Sequence, residues 1–394
     1  MSNFFFLVAL LMGFANACIS SAELRSELIF PLQNKHVHSS SIVELPNGDL
    51  LACWFHGSGE RTANDVLIQG SRLRKGNRQW SPIFEMADTP NLPDCNPTLF
   101  LDARQRLWLF WVVPIAGRWE TSVLKYRRAD ESLAEGPPKW SWQESIHLVP
   151  GETFADSIEA GFAKLKPNED LWAEYAFPYS RMIVEAAHDP LKRQIGWTTR
   201  THPQTLPSGR ILLPLYSDGF NVSLVAISDD EGKTWRASKP MVGLGPIQPS
   251  IVRKKDGTLL AYLRDSGGPP ARAMQSTSSD EGETWSVALD SAIFNPGSSL
   301  EAIVLQDGRW VMAYNDTENG RHRLALSCSD DEGQTWKWKR MLEVGSAGKT
   351  GFDYPSIIQA RDGMIHLTYS YTQPTGRAIK HVSFEADWVV AESH

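Results

Sequence analysis

Cysteine is scarce in this chain, four in 394 residues. Cys53, Cys95 and Cys328 lie too far apart for a disulfide framework or a zinc site, and Cys53 and Cys328 read as small buried hydrophobes inside strand patterns. No Cys-x-x-Cys or His-x-x-x-His pair, glycine-rich phosphate loop or nucleophile elbow occurs, so no metal centre and no cofactor is expected. There is no basic excess either. A formal net charge of −7 excludes the electrostatic footprint of a nucleic-acid binder. An acidic ligand must then be met by a few locally placed cations. Long hydrophobic runs are also missing. The one apolar stretch, MSNFFFLVALLMGFANAC, is too short for a comfortable membrane span. It ends in Ala15-Asn16-Ala17, which reads as a signal peptide over residues 1–17 ahead of a single domain at 18–394. Soluble export is the expectation, with lipidation of Cys18 the less favoured route because Ala15 stands where a lipobox has leucine.

What the chain does have is repetition. SDDEGKTW at Ser228 recurs as SSDEGETW at Ser278 and SDDEGQTW at Ser329, spaced by 50 and 51 residues. A period near 50 is the mark of a propeller or array. Within the box, Asp and Gly supply a hairpin turn, Thr-Trp opens the next strand, and the Trp anchors a neighbouring unit. The box is therefore a fold element before it is a chemical one.

A second pattern, strand, tight turn, strand, occurs six times, starting at Ser41, Pro97, Pro203, Pro249, Leu300 and Pro355. Five of the six turns contain glycine, often as Asn-Gly or Asp-Gly. Three of the hairpins are followed by a complete box, and the first by a remnant at 71–80. The fold class that follows is all-β, a six-bladed β-propeller with four strands per blade. The interval from about 145 to 200 breaks the period and reads as an insertion, with a short helix around Met182 to His188.

This geometry gathers residues at one face. Entering the first strands are His38 and Ser39, Asn96, His202, Gln248, Ser299 and Tyr354. Leaving the second strands are His56, Trp111, Asp218, Arg264 and Asp265, Asn315 and Asp316, and Tyr371. Polar and aromatic groups ringed around an axis are what a sugar pocket needs. Arg264 ends a strand reading LLAYL, where a charge has to leave the core at a mouth. Trp54 and Trp111 read as packing residues.

With its three boxes in order, nearly the whole mature chain resembles the sialidase (neuraminidase) superfamily, specifically bacterial sialidase-like proteins with Asp-box repeats. That resemblance implies an arginine triad gripping a substrate carboxylate, an aspartate acid/base, and a tyrosine nucleophile assisted by a glutamate. Matched position by position, Arg264 falls at the second arginine and Arg321 at the third, with Arg323 a near competitor. Tyr354 in DYPSII matches the nucleophile's setting, and Asp65 in ERTANDVLIQGSR the acid/base. Two positions depart: His38-Ser39-Ser40 stands where the family has Arg-Ile-Pro, and Gln248 stands where the glutamate would be.

The implied activity is an exo-sialidase-type hydrolase, with Tyr354, Asp65, Gln248 and His38 as catalytic positions. Arg264, Arg321, Asn96, His202 and Asn315 are the substrate-binding positions, and the partner is a glycan carrying an acidic sugar. Glu301 and Glu60 are candidate replacements for the missing base. Two alternatives use the departures. A uronic-acid polysaccharide lyase would draw base, acid and cation from His38, Tyr354 and Arg264. A non-catalytic acidic-glycan binder would need only the arginines.

Overall fold

The computed structural model describes residues 24–131, 136–167 and 180–391. The apolar stretch at residues 1–17, expected to be a signal peptide, lies outside them. Six antiparallel sheets follow one another along the chain as blades, at residues 36–87, 95–145, 198–237, 246–294, 301–344 and 351–384. In each, strands pair in sequence order, first hairpin innermost, as the repeat implies. Among the described residues no helix is long and apolar enough to cross a membrane.

Two parts were not anticipated. The outermost strand of blade 6 is Arg25–Gln33, which pairs antiparallel with Gly376–Phe384 and so closes the ring with the start of the chain. The insertion carries the expected helix at Ser180–His188, and also a longer one at Glu152–Leu165. Phe154, Ile158 and Phe162 of that helix are buried at a spacing of four, the stripe a core-facing helix needs.

The five turn glycines, Gly48, Gly209, Gly257, Gly308 and Gly363, all have φ between 86° and 94°, a region that side chains with a Cβ avoid. The boxes share this face. In each complete box the aspartate, Asp230, Asp280 or Asp331, accepts from the Ser and Thr hydroxyls and from the Thr amide. Internal hydrogen bonds therefore account for this aspartate of each box, while Asp229 and Glu283 pair with Arg210 and Arg236. Each box packs on the preceding blade. Trp235 meets Trp108 and Phe110 edge-on, Trp336 meets Tyr262, and Gly282 faces Leu212. Trp80 of the remnant meets His381 in the same way.

Gly333 tests how tightly that seam is closed. A Cβ there would lie 2.3 Å from Tyr262 Oη and 3.0 Å from the Trp310 ring, at φ 77°. Gly333→Ala is expected to cost about 2–4 kcal/mol, adding a clash to left-handed strain. Gly363→Ala has the strain alone, with nothing within 4 Å, and should cost about 1 kcal/mol. Denaturant unfolding of the two variants checks this, and equal losses would refute the seam argument.

Between blades, an inner ring of side-chain hydrogen bonds runs the full circle. Ser356 Oγ accepts from the Ile42 amide, Ser41 Oγ from Leu99, and Ser250 Oγ from Ala302. Thr199 donates to Thr98, Thr201 to the Pro249 carbonyl, and Glu301 Oε2 accepts from Ile357. Every neighbouring pair of blades is joined once by these six bonds. Cys53, Cys95 and Cys328 are free and buried, as expected for Cys53 and Cys328.

Candidate active site

Tyr354, Gln248, Asn96 and Ser39 share an unusual backbone. All four have φ between 49° and 55°, and each sits where the pairing register of an innermost strand slips. These are β-bulges, which re-aim one side chain out of the strand's alternation. Holding a non-glycine residue there costs about 1–3 kcal/mol. What offsets it can be read in the sequence: each bulge residue is followed by Pro or Ser and then Ser or Thr. Those hydroxyls, Ser41, Thr98, Ser250 and Ser356, are the ones that join the blades. The bulge and the inter-blade ring are thus one device, which points four side chains toward the axis.

Tyr354 lies at the centre of the cluster. Its hydroxyl oxygen accepts from Arg264 Nη1 at 3.1 Å and from Gln248 Nε2 at 3.0 Å. The Gln248 amide also reaches Tyr216 Oη at 3.2 Å, and Asn96 Nδ2 reaches the same hydroxyl at 3.2 Å. The Tyr354 ring is flanked by the Arg200 guanidinium at 4.8 Å, that of Arg321 at 5.4 Å, and the His38 ring at 4.1 Å. Three arginines from blades 3, 4 and 5 converge on one tyrosine.

Arg321 is partly open, its side chain 30% exposed. It pairs with Asp353 at 2.9 Å and donates to the Gly297 carbonyl at 3.0 Å. Burial works against its charge, but Asp353 and the other anions nearby outweigh it and hold its pKa above the ordinary arginine value. Arg323 instead faces Met341, which leaves Arg321 as the arginine of the cluster. Arg200 is almost fully buried beneath the ring and is spent on the carbonyls of Pro355 and Ser40. It supplies charge from below and offers no surface to a ligand. His38, replacing the expected first arginine, is held well below the usual histidine range by burial first, then by the charges of His36, Arg321, Arg200 and Arg377. It is a neutral imidazole, 3.7 Å from Asp353.

Three sequence-predicted residues sit elsewhere than expected. His202 Nδ1 lies 2.9 Å from Glu301, and its Nε2 lies 2.8 Å from the Ile42 carbonyl. Both ring nitrogens face acceptors, so His202 is an inter-blade tie and not a substrate ligand. Asn315 has no exposed surface and donates to the carbonyls of Arg321, Arg323 and Phe352. It fixes the loop that carries Arg321, and its burial keeps it from a substrate. Glu301, weighed as a replacement base, has one oxygen on His202 and the other on the Ile357 amide. Both oxygens are engaged between blades, and no hydrogen bond joins Glu301 to Tyr354 among the described residues.

The carboxylates nearer the mouth behave differently from one another. Asp65 accepts from the Ser58 hydroxyl at 2.6 Å and its amide at 2.9 Å, and pairs with Lys35 at 3.1 Å. Those contacts, the serine first, hold its carboxyl down to about 2. It is an exposed anion tied to its own loop. Glu60 is pushed up by burial against the pull of Arg61. Asp218 is pushed up to about 6 by burial, with Arg264, Glu60, Arg61 and Glu120 around it. Tyr216, Arg200 and the distinct character of Asp218 are what the sequence reading missed. Tyr216 lies in the apolar run ILLPLYS and Arg200 in TTRTHP, so only the closure of the ring shows what each touches.

Among the described residues no group of three His, Cys, Asp or Glu side chains could hold a metal ion. A cleft of about 860 Å³ lies between blades 1 and 6 on the hairpin-turn face, lined by Asn47, Gly48 and Asp362, and holds none of the cluster around Tyr354.

Comparison with known proteins agrees with this architecture. The chain is 27% identical over 178 residues to a sialidase of Micromonospora viridifaciens, which is 41% of this chain and 25% of that one. It is 29% identical over 180 residues to an anhydrosialidase of Macrobdella decora, 41% of this chain and 23% of that one. The matched part is thus about a quarter of either relative's length. Among solved structures, the Hadza microbial sialidase Hz136 superposes with a TM-score of 0.67 over 92% of this chain and 69% of its own, at 14% identity. That likeness speaks for the fold alone. The family model for the BNR repeat-like domain matches residues 48–166 and 189–367. The chain belongs to that BNR-repeat family, within the sialidase superfamily.

Proposed function

We propose that this is an exported glycoside hydrolase of exo-sialidase type, which releases a terminal acidic sugar from glycans. The observation that carries this reading is the tyrosine whose hydroxyl oxygen receives two N–H donors, one of them from an arginine. An oxygen that must carry negative charge while it attacks is suited by donors of this kind. Arg264, on the Tyr354 hydroxyl, and Arg321, over its ring, would grip the substrate carboxylate through charge-assisted bonds. Tyr354 Oη then attacks the anomeric carbon and the glycosidic oxygen departs with a proton. Water completes hydrolysis. A tyrosine nucleophile is a known exception to the paired-carboxylate rule of glycosidases. Gln248 keeps the position of the expected glutamate but donates where a carboxylate would accept. Arg200, under the ring, contributes a positive charge that the His38 position lacks.

His38 motivates a second reading. A buried, neutral imidazole beside Tyr354 and two arginines is also what a uronate lyase needs: a base for the C5 proton, with the arginines neutralising the carboxylate. One experiment separates the readings. The purified protein is incubated with sialylated and with uronate-containing glycans, following free sugar and the ultraviolet absorbance of unsaturated uronate together. Release of free acidic sugar without absorbance is the expected result. Absorbance would transfer the assignment to the lyase, and silence in both channels would leave a binding protein.

A further inference from the structure

The cleft between blades 1 and 6 lies on the hairpin-turn face, away from the Tyr354 cluster, and its blade 1 wall is formed by the box remnant. The remnant at 71–80 has four cations, Arg72, Arg74, Lys75 and Arg78, and no acid, where each complete box has three acids. It still does the packing work of a box. Trp80 meets His381 edge-on and donates to Glu27 at 2.9 Å. The role in the fold is kept while the charge is reversed.

Five cations and three carboxylates line the cleft, and all three carboxylates are engaged. Glu27 faces Trp80 and His381, Glu44 pairs with Arg361, and Asp362 accepts the Met364 amide of its own turn. Arg361 is spent as well, on Glu44 and on the carbonyls of Leu45 and Pro46. Arg25, Lys75 and Arg78 are exposed, and their side chains make no ion pair or hydrogen bond among the described residues. Lys75 packs its stem on the Gly48 turn. In a chain of net charge −7, three such cations around one cleft are a local excess that the fold does not use.

The blade 6 wall adds a directed polar group. Cross-strand register sets Arg25, Ser383 and His366 in one row and Glu27 and His381 in the next row of the same sheet face. Glu27 Oε1 lies 3.1 Å from His381 Nδ1, and His381 Nε2 lies 3.0 Å from His366 Nδ1, with the two rings stacked. Burial first, and then the His381 charge, holds His366 down to about 4, so its ring is neutral. With both rings neutral, His381 Nδ1 donates to Glu27 and His366 Nδ1 donates to His381. His366 Nε2 is then an acceptor, and it has no partner among the described residues.

We infer that this cleft binds an acidic oligosaccharide, with sugar carboxylates on Arg25, Lys75 and Arg78 and a sugar hydroxyl on His366 Nε2. Carboxylates and guanidinium or ammonium groups form charge-assisted bonds. The three cations come from two blades, which suits several charges spaced along a chain. A neutral acceptor beside them asks for a hydroxyl, which an acidic sugar carries and a bare phosphate chain lacks. About 860 Å³ is room enough for a bound ligand. The inference does not rest on the hydrolase reading, because no group of the Tyr354 cluster takes part.

The test is a calorimetric titration with a sialic acid hexamer, in the Tyr354→Phe background so that the probe stays whole. Excess free sialic acid fills the Tyr354 cluster. Adding Lys75→Glu and Arg78→Glu together is expected to weaken hexamer binding by about tenfold or more. Both residues are exposed, so the reversal leaves the fold in place. Adding His366→Phe, which keeps a stacking ring and removes the acceptor, is expected to weaken it about threefold or more. In otherwise wild-type protein these substitutions should leave turnover of a nitrophenyl sialoside unchanged. Hexamer affinity unmoved by the charge reversal would overturn the inference. Polyphosphate binding as tightly as the hexamer, with no effect of His366→Phe on either, would overturn it in favour of a general anion patch. Capture by phosphatidylserine vesicles that the hexamer does not displace would overturn it in favour of a membrane-facing surface. Failure of the hydrolase reading is separately visible, as wild-type protein that leaves the sialoside intact while the titration still reads the cleft.

Discussion

Tyr354→Phe is expected to lower kcat about a thousandfold, with the fold and the affinity for an acidic sugar retained. The substitution removes one oxygen and leaves the ring, so the contacts of Arg200, Arg321 and His38 with its faces survive. The left-handed bulge also survives, since its position is set by Ser356 and the register of the strand. Two donors lose their acceptor, Arg264 Nη1 and Gln248 Nε2. Gln248 is 1% exposed, so its lost partner costs about 1–3 kcal/mol. Arg264 is only partly buried, so water can replace the phenol there. Binding is expected to change by a few-fold at most, because the proposed carboxylate grip belongs to Arg264 and Arg321. Kinetics on a sialoside together with calorimetric titration of free sialic acid would read both quantities. Turnover equal to wild type would show that Tyr354 is not the nucleophile. Loss of affinity in step with kcat would show that it is a binding residue.

How much of this could be read from the chain differs between fold and site. The blades were legible because they are local: five of the six hairpin turns carry a glycine at φ near 90°, and each box is an eight-residue unit that closes on itself. The strand Arg25–Gln33 was not, because it pairs with residues about 350 positions away and its own burial pattern hardly alternates. At the site, Ser39, Asn96, Gln248 and Tyr354 were legible as residues entering the first strands, and the Pro/Ser-then-Ser/Thr pattern after each makes both the bulge and the inter-blade bond. His202 and Asn315 met the same rule of entering and leaving strands, yet point into the molecule. Blade 3 is where the rule breaks: its innermost strand is split into Thr198–Thr199 and Gln204–Thr205. The segment between them, carrying Arg200 and His202, is drawn under the cluster instead of lining it. Nothing local reveals that, because a buried arginine and a loop arginine have the same one-letter neighbourhood. The contrast between Asp65 and Asp218 was invisible for a related reason. Two aspartates at the same face differ only in what surrounds them, one set by Ser58 and Lys35, the other by burial beside Glu60 and Arg264.

Glu301→Gln is expected to be the most destabilising single change near the axis, by about 3–5 kcal/mol. Glu301 is 2% exposed and belongs to blade 5. One of its oxygens receives the His202 amide at 2.8 Å and the His202 ring at 2.9 Å, and the other receives the Ile357 amide at 2.9 Å. His202 in turn donates to the Ile42 carbonyl. This one carboxylate therefore joins blades 1, 3, 5 and 6. A glutamine of the same shape presents an N–H₂ group to at least one N–H donor, and it removes the charge that balances the His202 imidazolium. The pH dependence can be assigned by sign. Burial opposes the His202 charge, but Glu301 and the Ile42 carbonyl outweigh it and raise its pKa above 6.5. Its contribution is fully present below about 6.5 and is lost as pH rises through the raised value. Burial also opposes the Glu301 charge, and His202 outweighs it and lowers the pKa below 4.5. That contribution is present above about 4.5 and is lost as pH falls through the lowered value. The difference in unfolding free energy between wild type and variant should accordingly be greatest between about 4.5 and 6.5 and shrink on both sides. Denaturant titrations at closely spaced pH values measure it. A difference of the same size at every pH would mean that Glu301 acts by shape and neutral hydrogen bonding, and that the ion pair joining the four blades contributes nothing of its own.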